Sequence, residues 1–562
     1  MKNIKLFIIF MFAIFIFIPV HAKAATIDVN SAIVFKALLS TGADMRITDD
    51  FTIDGNYPVN AASTVDLNGH TINFASYTLL PYESLTIMDT SSDQSGQVTG
   101  SSMFLFQVGN SSNPGSLTIN GGTFISTGSY GVVRNYGTFV LNGGQLQGKS
   151  FVVYNQKGSF EMNGGEIISS TGVAYYGGQD TDFVMNDGLI RLTGDYYAVS
   201  LAKPGATATI NNGTIEALYS NTAETSGGNA IAAFKDTEVT INGGTISAFS
   251  GAIIGNGSES GASEGTNAKF NINGGTISSV KTVAIYAPQI DGVTVITGGT
   301  LNGKTCVEVR AGTLIISGGT FNADTENYLV SPNSSGSTTL GAAVSVAQHT
   351  TKSPIQVTIT GGIFNGYTPF SETNPQNNND EDIEKITLDI SGGVFNASSD
   401  TTVTALGDIK FISGGDFTNN VTEYVVDGYG EKDLTSNTVR VLPYRNVETT
   451  EDTNENVVDL NTAFPGEEVI INPEEKDDYE IKEIIVKDKD GNAIEVNNNK
   501  FIMPDSDVTI SVKYTLIYKI ISVDEQTFNL TDSYNIQIKS NGDLSKLTGI
   551  KVDGNLINIE NI

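Results

Sequence analysis

Residues Leu117 to Ser126 read LTINGGTFIS, and near-copies return as VLNGGQLQG from Val140, VTINGGTISA from Val239, LIISGGTFNA from Leu314 and LDISGGVFNA from Leu388. Aligned on the second glycine, twelve copies place Gly122, Gly144, Gly165, Gly188, Gly213, Gly244, Gly275, Gly299, Gly319, Gly362, Gly393 and Gly415 in one column. Successive copies lie 20 to 31 residues apart, with one gap of 43 between Gly319 and Gly362. A phrase that stays fixed while its spacing varies marks stacked coils that share a corner and differ in their loops.

The columns give that corner its chemistry. Before the glycines stand Asn120, Asn142, Asn163, Asn186, Asn211, Asn242 and Asn273, then Thr297, Ser317, Thr360, Ser391 and Ser413. All of these side chains bond readily to turn backbone. The first glycine position, Gly121 in the opening phrase, is broken only by Asp187 and Asn212, types that tolerate a left-handed backbone. The second position is always glycine, which implies positive φ or close backbone approach. An apolar column runs from Ile119 and Leu141 to Ile390 and Ile412 before the corner, and another from Phe124 and Leu146 to Phe395 and Phe417 after it. Within the strand the pattern alternates, with Leu117 and Ile119 inward and Thr118 outward.

An Asn-Gly pair is also the strongest local hairpin signal. Hairpins would need a partner strand of matching register at short, even spacing. Here other short runs intervene, such as GVVRNYG before TFVLNGG and SFVVYNQKG before SFEMNGG. Coils stacked at the ordinary strand spacing of about 4.8 Å put like residues on like. The expected fold is all-β: a right-handed parallel β-helix, or solenoid, followed by small β-sandwich modules. The gap of 43 would hold an extra coil or an excursion across Ser331 to Lys352. The polar run NPQNNNDEDIEK from Asn374 reads as a projecting loop.

The ends follow from the same logic. Residues 1–24 read as an export signal, with Lys2 and Lys5 before an apolar run from Leu6 to Val20 and a small-x-small site ahead of Ala25. No other run approaches membrane length, so no membrane span remains after signal removal. Residues 25–110 read as an N-terminal cap and first coils, with NSAIVFKALLST a short amphipathic helix plugging the array. Residues 111–443 hold the repeats, ending in a hairpin-like EYVVDGYGEKDLTSNTVRVLP, and 444–456 form an acidic linker. Residues 457–514 alternate as a small β-sandwich, and 515–562 read as a further β module in which the chain stops short.

The INGGTF and ISGGTF joints resemble those of parallel β-helix surface proteins of Gram-positive bacteria, clostridia especially. TVDLNGHTI with SLTIMDTSSDQSGQVTG is similar to their first coils. GEEVIINP, YEIKEIIVKD and KFIMPDSDVTISVKY resemble the bacterial repeat domain related to internalin B-repeats. DLSKLTGIKVDGNLI resembles the start of an immunoglobulin-like module of clostridial wall proteins. The resemblance implies a secreted or cell-surface location; the sortase signal carried by many such relatives is not found in these residues.

Composition narrows the partners. A net charge of −31 argues against nucleic acid and anionic lipid, and by the same token against acidic polysaccharides. No Ca²⁺-loop or nonapeptide pattern occurs, so no metal or cofactor is expected. Cys306, the single cysteine, reads as a small core residue, and His70 and His349 as turn or loop residues. The paired carboxylates a glycosidase needs are absent from the middle of the array, where only Arg134, Arg191 and Arg310 supply arginine. No catalytic residue is assigned. The candidate ligand contacts are Tyr175, Tyr176, Tyr196 and Tyr197, whose spacing of 21 residues would stack them on adjacent coils. The function expected is that of a structural or adhesive surface protein binding glycans or host or cell-wall proteins. The alternative is a polysaccharide lyase or glycoside hydrolase of β-helix type.

Overall fold

The computed structural model describes residues 25–220, 227–255, 267–330, 339–435, 437–450, 453, 457–517, 520–523, 538–540, 549–552 and 555–558. The export signal read at residues 1–24 lies outside the described residues. The chain is nearly all β, with 51% strand and 4% helix. Its contacts divide it into two units, Met1–Leu388 with Gly393–Gly407, and Asp389–Gly392 with Asp408–Ile562.

The first unit is a parallel solenoid with three strands per coil. One column of strands carries the residues before each glycine pair, such as Ser116–Ile119 and Thr138–Leu141. A second carries those after it, such as Thr123–Ser126 and Gln145–Gly148. A third closes the coil and forms its own 14-stranded sheet from Tyr57–Val59 to Val403–Thr404. The aligned columns are the register itself: Ile119 pairs with Leu141 and Leu141 with Met162, while Phe124 pairs with Leu146 and Leu146 with Ile167. These side chains are fully buried, each stabilising the fold by roughly 1.5–3 kcal/mol. Where like meets like, the rings stack. Phe139–Phe160 and Phe160–Phe183 lie 4.8 and 5.0 Å apart, within 8° and 5° of parallel.

The corner glycines do two different jobs. Every second glycine has positive φ, from 78° at Gly165 to 114° at Gly362, and the same holds for Gly122, Gly244, Gly275, Gly319, Gly393 and Gly415. A Cβ on Gly144 would also meet the Gly122 carbonyl oxygen at 2.5 Å. The first position is not left-handed, contrary to expectation: neither Gly121 nor Asp187 nor Asn212 has positive φ. Glycine is favoured there by close approach, since a Cβ on Gly143 would lie 2.8 Å from the Asn120 oxygen. Asp187 fits because its own carboxylate accepts from Gly188 N–H at 2.8 Å.

The asparagine column is a hydrogen-bonded ladder on the outside of the corner. Asn142, Asn163, Asn186, Asn211, Asn242 and Asn273 each donate to the asparagine one coil back, at 2.7–2.9 Å. Thr297 continues the ladder by one step, its hydroxyl donating to the Asn273 side-chain oxygen at 3.1 Å. As this ladder ends, a second opens after the glycines: Asn322 donates to Asn302, Asn365 to Asn322 and Asn396 to Asn365. The Asn-to-Ser/Thr change thus moves the ladder from one side of the corner to the other.

The helix Ala32–Thr41 forms where expected, with Phe35 and Leu39 buried and Phe35 against the rings of Phe51 and Tyr57. The gap of 43 holds no extra coil. Leu329–Val330 and Thr339–Leu340 make an antiparallel excursion, and Val344–Ala347 then rejoins the third column. Nor does the run from Asn374 project freely. It caps a short helix, Asp380–Ile383, and Asn378 donates to Gln348 and to the His349 carbonyl. Asp382 is buried there between Lys352 and Lys385.

In the second unit, Tyr429–Thr435 and Thr438–Pro443 form the expected hairpin, with Ile412–Thr418 alongside. The acidic linker is in part a strand. Arg445–Thr449 pairs with Val508–Leu516, and Val447 and Val457 are core residues beside Met503 and Ile510. Two sheets, one with Tyr479–Asp488 and one pairing Glu468–Ile470 with Lys500–Ile502, contribute to that core. Two antiparallel pairs, Ile520–Val523 with Ile538–Ser540 and Gly549–Val552 with Asn555–Asn558, follow. Among the described residues no helix is long and apolar enough to cross a membrane.

Candidate functional site

The third strand column has an outer surface, and its residues change along the stack. In register, the outward positions run Gln107, Arg134, Tyr154, Tyr176, Ser200, Ala232. Large rings give way to small side chains, and the surface sinks. Residues three places before Gln107, Tyr154 and Ser200 add Phe104, Phe151 and Tyr197. The result is a run of rings crossing six coils: Phe104 lies 6.0 Å from Tyr154, Tyr154 4.7 Å from Tyr176, and Phe151 5.4 Å from Tyr176. Further along, Tyr196 lies 4.7 Å from Tyr197, and Tyr197 6.3 Å from Phe234.

Two hollows open along this run. The larger, about 490 Å³, is lined by Phe151, Tyr176, Tyr196 and Tyr197, by Lys203, Pro204, Phe234 and Lys235, and by Ser200 and Ala202. The smaller, about 260 Å³, lies between Met103, Tyr130, Arg134 and Tyr154. Phe151 and Tyr176 line both, so the two hollows adjoin across these rings and together are called the cleft. Phe151, shared by the two, has φ 47°. For a bulky side chain this left-handed conformation costs roughly 1–2 kcal/mol, and such strain gathers where a site requires a fixed geometry.

Of the four predicted tyrosines, three meet in the larger hollow. Tyr176 and Tyr197 are half-buried and Tyr196 is 51% exposed. Burial raises the phenol pKa of Tyr176 and of Tyr197, so both hydroxyls are neutral donors at ordinary pH. Tyr175 is a correction. It is 0% exposed, its ring lies 4.4 Å from Phe183 in the bore, and its hydroxyl accepts from Asn155. Asn155 in turn accepts from Asn135, an internal ladder. The expected stacking of Tyr176 on Tyr197 is also corrected: Tyr176 is in register with Tyr154 and Ser200, and Tyr197 with Asn229.

Phe151, Tyr154, Phe234, Lys203 and Lys235 were not singled out from the sequence, and Arg134 reads there only as a scattered arginine of the repeats. Their common signal is an aromatic or cation at or beside the third strand, as in SFVVYN and AAFKD. It becomes visible only when that strand, not the glycine phrase, is aligned.

The other candidates stay apart. Cys306 is buried and its thiol is pushed up by burial. His70 contacts Asp50 at 3.3 Å, away from the cleft. Glu308 and Arg310 are both 0% exposed and 4.0 Å apart, with Arg310 Nε donating to the Ala347 carbonyl. Among the described residues no group of three or more His, Cys, Asp or Glu could hold a metal. Neither hollow is lined by Asp or Glu. No protein-family model, no curated protein and no solved structure matches this chain.

Proposed function

We propose that the protein is an extracellular binding protein whose solenoid presents the aromatic cleft to a glycan. The observation that carries this reading is the run of rings held across six coils around the strained Phe151, all but Phe104 at least partly exposed. Flat apolar rings that carry a hydroxyl edge suit the alternating apolar faces and hydroxyl rims of sugar rings. Leaving such a surface exposed has no benefit to folding, so a partner is its natural explanation. The cleft spans five strand spacings, about 24 Å, the scale of an oligosaccharide.

The absence of carboxylates from the lining favours binding over glycosidase chemistry, which needs two of them across the scissile bond. The export signal, the resemblance to clostridial surface proteins and the β modules after the solenoid support a secreted, adhesive role at a bacterial cell surface. A right-handed coil is the sense that parallel crossovers adopt in almost all proteins. The two-sheet core at 445–516 suits a small β-sandwich serving as a stalk.

A glycan array tests the reading. Tyr176→Leu keeps apolar bulk at the half-buried position, and Tyr196→Ala truncates an exposed side chain, so together they remove two flat rings at little cost to the fold. The expected outcome is loss of array binding with a cooperative thermal transition retained. Unchanged binding, or depolymerisation of any bound polysaccharide, contradicts it.

A further inference from the structure

Resting on the reading of the cleft as a glycan site, we propose that its ligand is an acidic glycan bearing carboxylate or sulfate groups along its length. The chain has 62 Asp and Glu against 31 Lys and Arg, so hollows lined by cations and by no carboxylate run against its composition. Some cations elsewhere on the coils are held in ion pairs, such as Arg46 with Asp28, Arg191 with Glu216, Lys304 with Asp324, and Lys352 and Lys385 with Asp382. None of the three in the cleft is. Among the described residues no carboxylate pairs with Arg134, Lys203 or Lys235, and Asp195 and Asp236, close in sequence, belong to neither lining.

The placement is specific. Leu201 is in register with Ala233, and Phe234 N–H donates to the Leu201 carbonyl at 3.0 Å. Lys203 and Lys235 therefore follow equivalent positions on neighbouring coils, about one strand spacing of 4.8 Å apart in backbone. Like charges so placed repel each other, and an anion held between them removes the repulsion. Arg134 lies three strand spacings from the coil of Lys203 and four from that of Lys235, about 14 and 19 Å along the stack. Its guanidinium sits 5.0 Å from the Tyr136 ring and donates to Gln156 at 3.0 Å, while its buried Nε has no partner. A planar guanidinium carries five N–H donors, more than Gln156 takes up, and its fork matches a carboxylate or sulfate. Cations at both ends with rings between them fit a chain with anions at intervals better than a single charged sugar.

The net charge of −31 had argued the other way. That repulsion is a sum over distant groups, screened beyond about 8 Å at physiological ionic strength. The cations in contact with the ligand decide the local preference.

The test compares oligogalacturonate, its methyl ester and a sulfated oligosaccharide of similar length by calorimetric titration into the full chain. The acid and the ester share a backbone and differ in charge. The acid is expected to bind roughly tenfold or more tightly than the ester, as a charge-assisted bond implies. Lys203→Gln with Lys235→Gln should erase that difference; both lysines are exposed, so the melting temperature should hold. Preference for the sulfated ligand over the uronate would assign the anion as sulfate and support the proposal. Equal binding of acid and ester overturns it while leaving the cleft's glycan reading intact. No binding of either, with the array also blank, overturns both. Equal competition by poly-glutamate overturns the assignment to a glycan.

Discussion

At the scale of single residues, the corner phrase separates two roles for neighbouring glycines. Gly144 needs both its φ of 86° and its missing Cβ, whereas Gly143 needs only the space. Gly144→Asn should therefore destabilise the solenoid by at least about 1–2 kcal/mol from backbone strain alone. Gly143→Asn, which repeats what Asn212 already does, should cost less. Denaturant midpoints measure both, and a larger loss at Gly143 would contradict the assignment. The second-glycine column was legible from sequence because a fixed backbone geometry admits one residue type. The reason for the first column was not, since close approach and left-handed φ both select glycine. Tyr175 and Tyr176 show a similar boundary. Strand alternation places one in and one out, but which ring meets Tyr154 and which meets Phe183 depends on pairing across coils.

At the scale of the strand, the third column buries charge near its C-terminal end. Glu372, in Phe370–Thr373, accepts from Leu406 N–H at 2.8 Å, yet burial lifts its carboxyl from 4.5 to about 7. Between those values the folded chain holds a proton that the unfolded chain has lost. Stability from this group is thus full below pH 4.5 and falls as pH rises to about 7. Glu372→Gln should flatten that part of the pH profile, raising the melting temperature at pH 7.5 relative to wild type more than at pH 4.5. An identical pH slope in the variant would contradict the burial account. This column was the least legible part of the fold. Its strands carry no repeated phrase, and loops of unequal length separate them from the corner. The strand pair Leu329–Val330 with Thr339–Leu340 and the helix Asp380–Ile383 each enter between the columns. By contrast, the first two columns could be read directly, because stacking like on like repeats the same residues.

At the scale of the whole chain, a strongly acidic protein lines one cleft of its solenoid with rings and cations and no carboxylate. Composition alone pointed away from acidic ligands; the proposed acidic ligand rests instead on Arg134, Lys203 and Lys235, which line this cleft although 32 or more residues separate each from the next. The repeated corner identifies the scaffold, and the ligand is chosen by what lies between the copies. The most direct measurement is a crystal structure of the protein with a bound acidic oligosaccharide. The account predicts sugar rings against Tyr176 and Tyr197, with an anionic group between Lys203 and Lys235. Oligosaccharide seated on the asparagine ladder, or on the 445–516 module with the cleft empty, would contradict it.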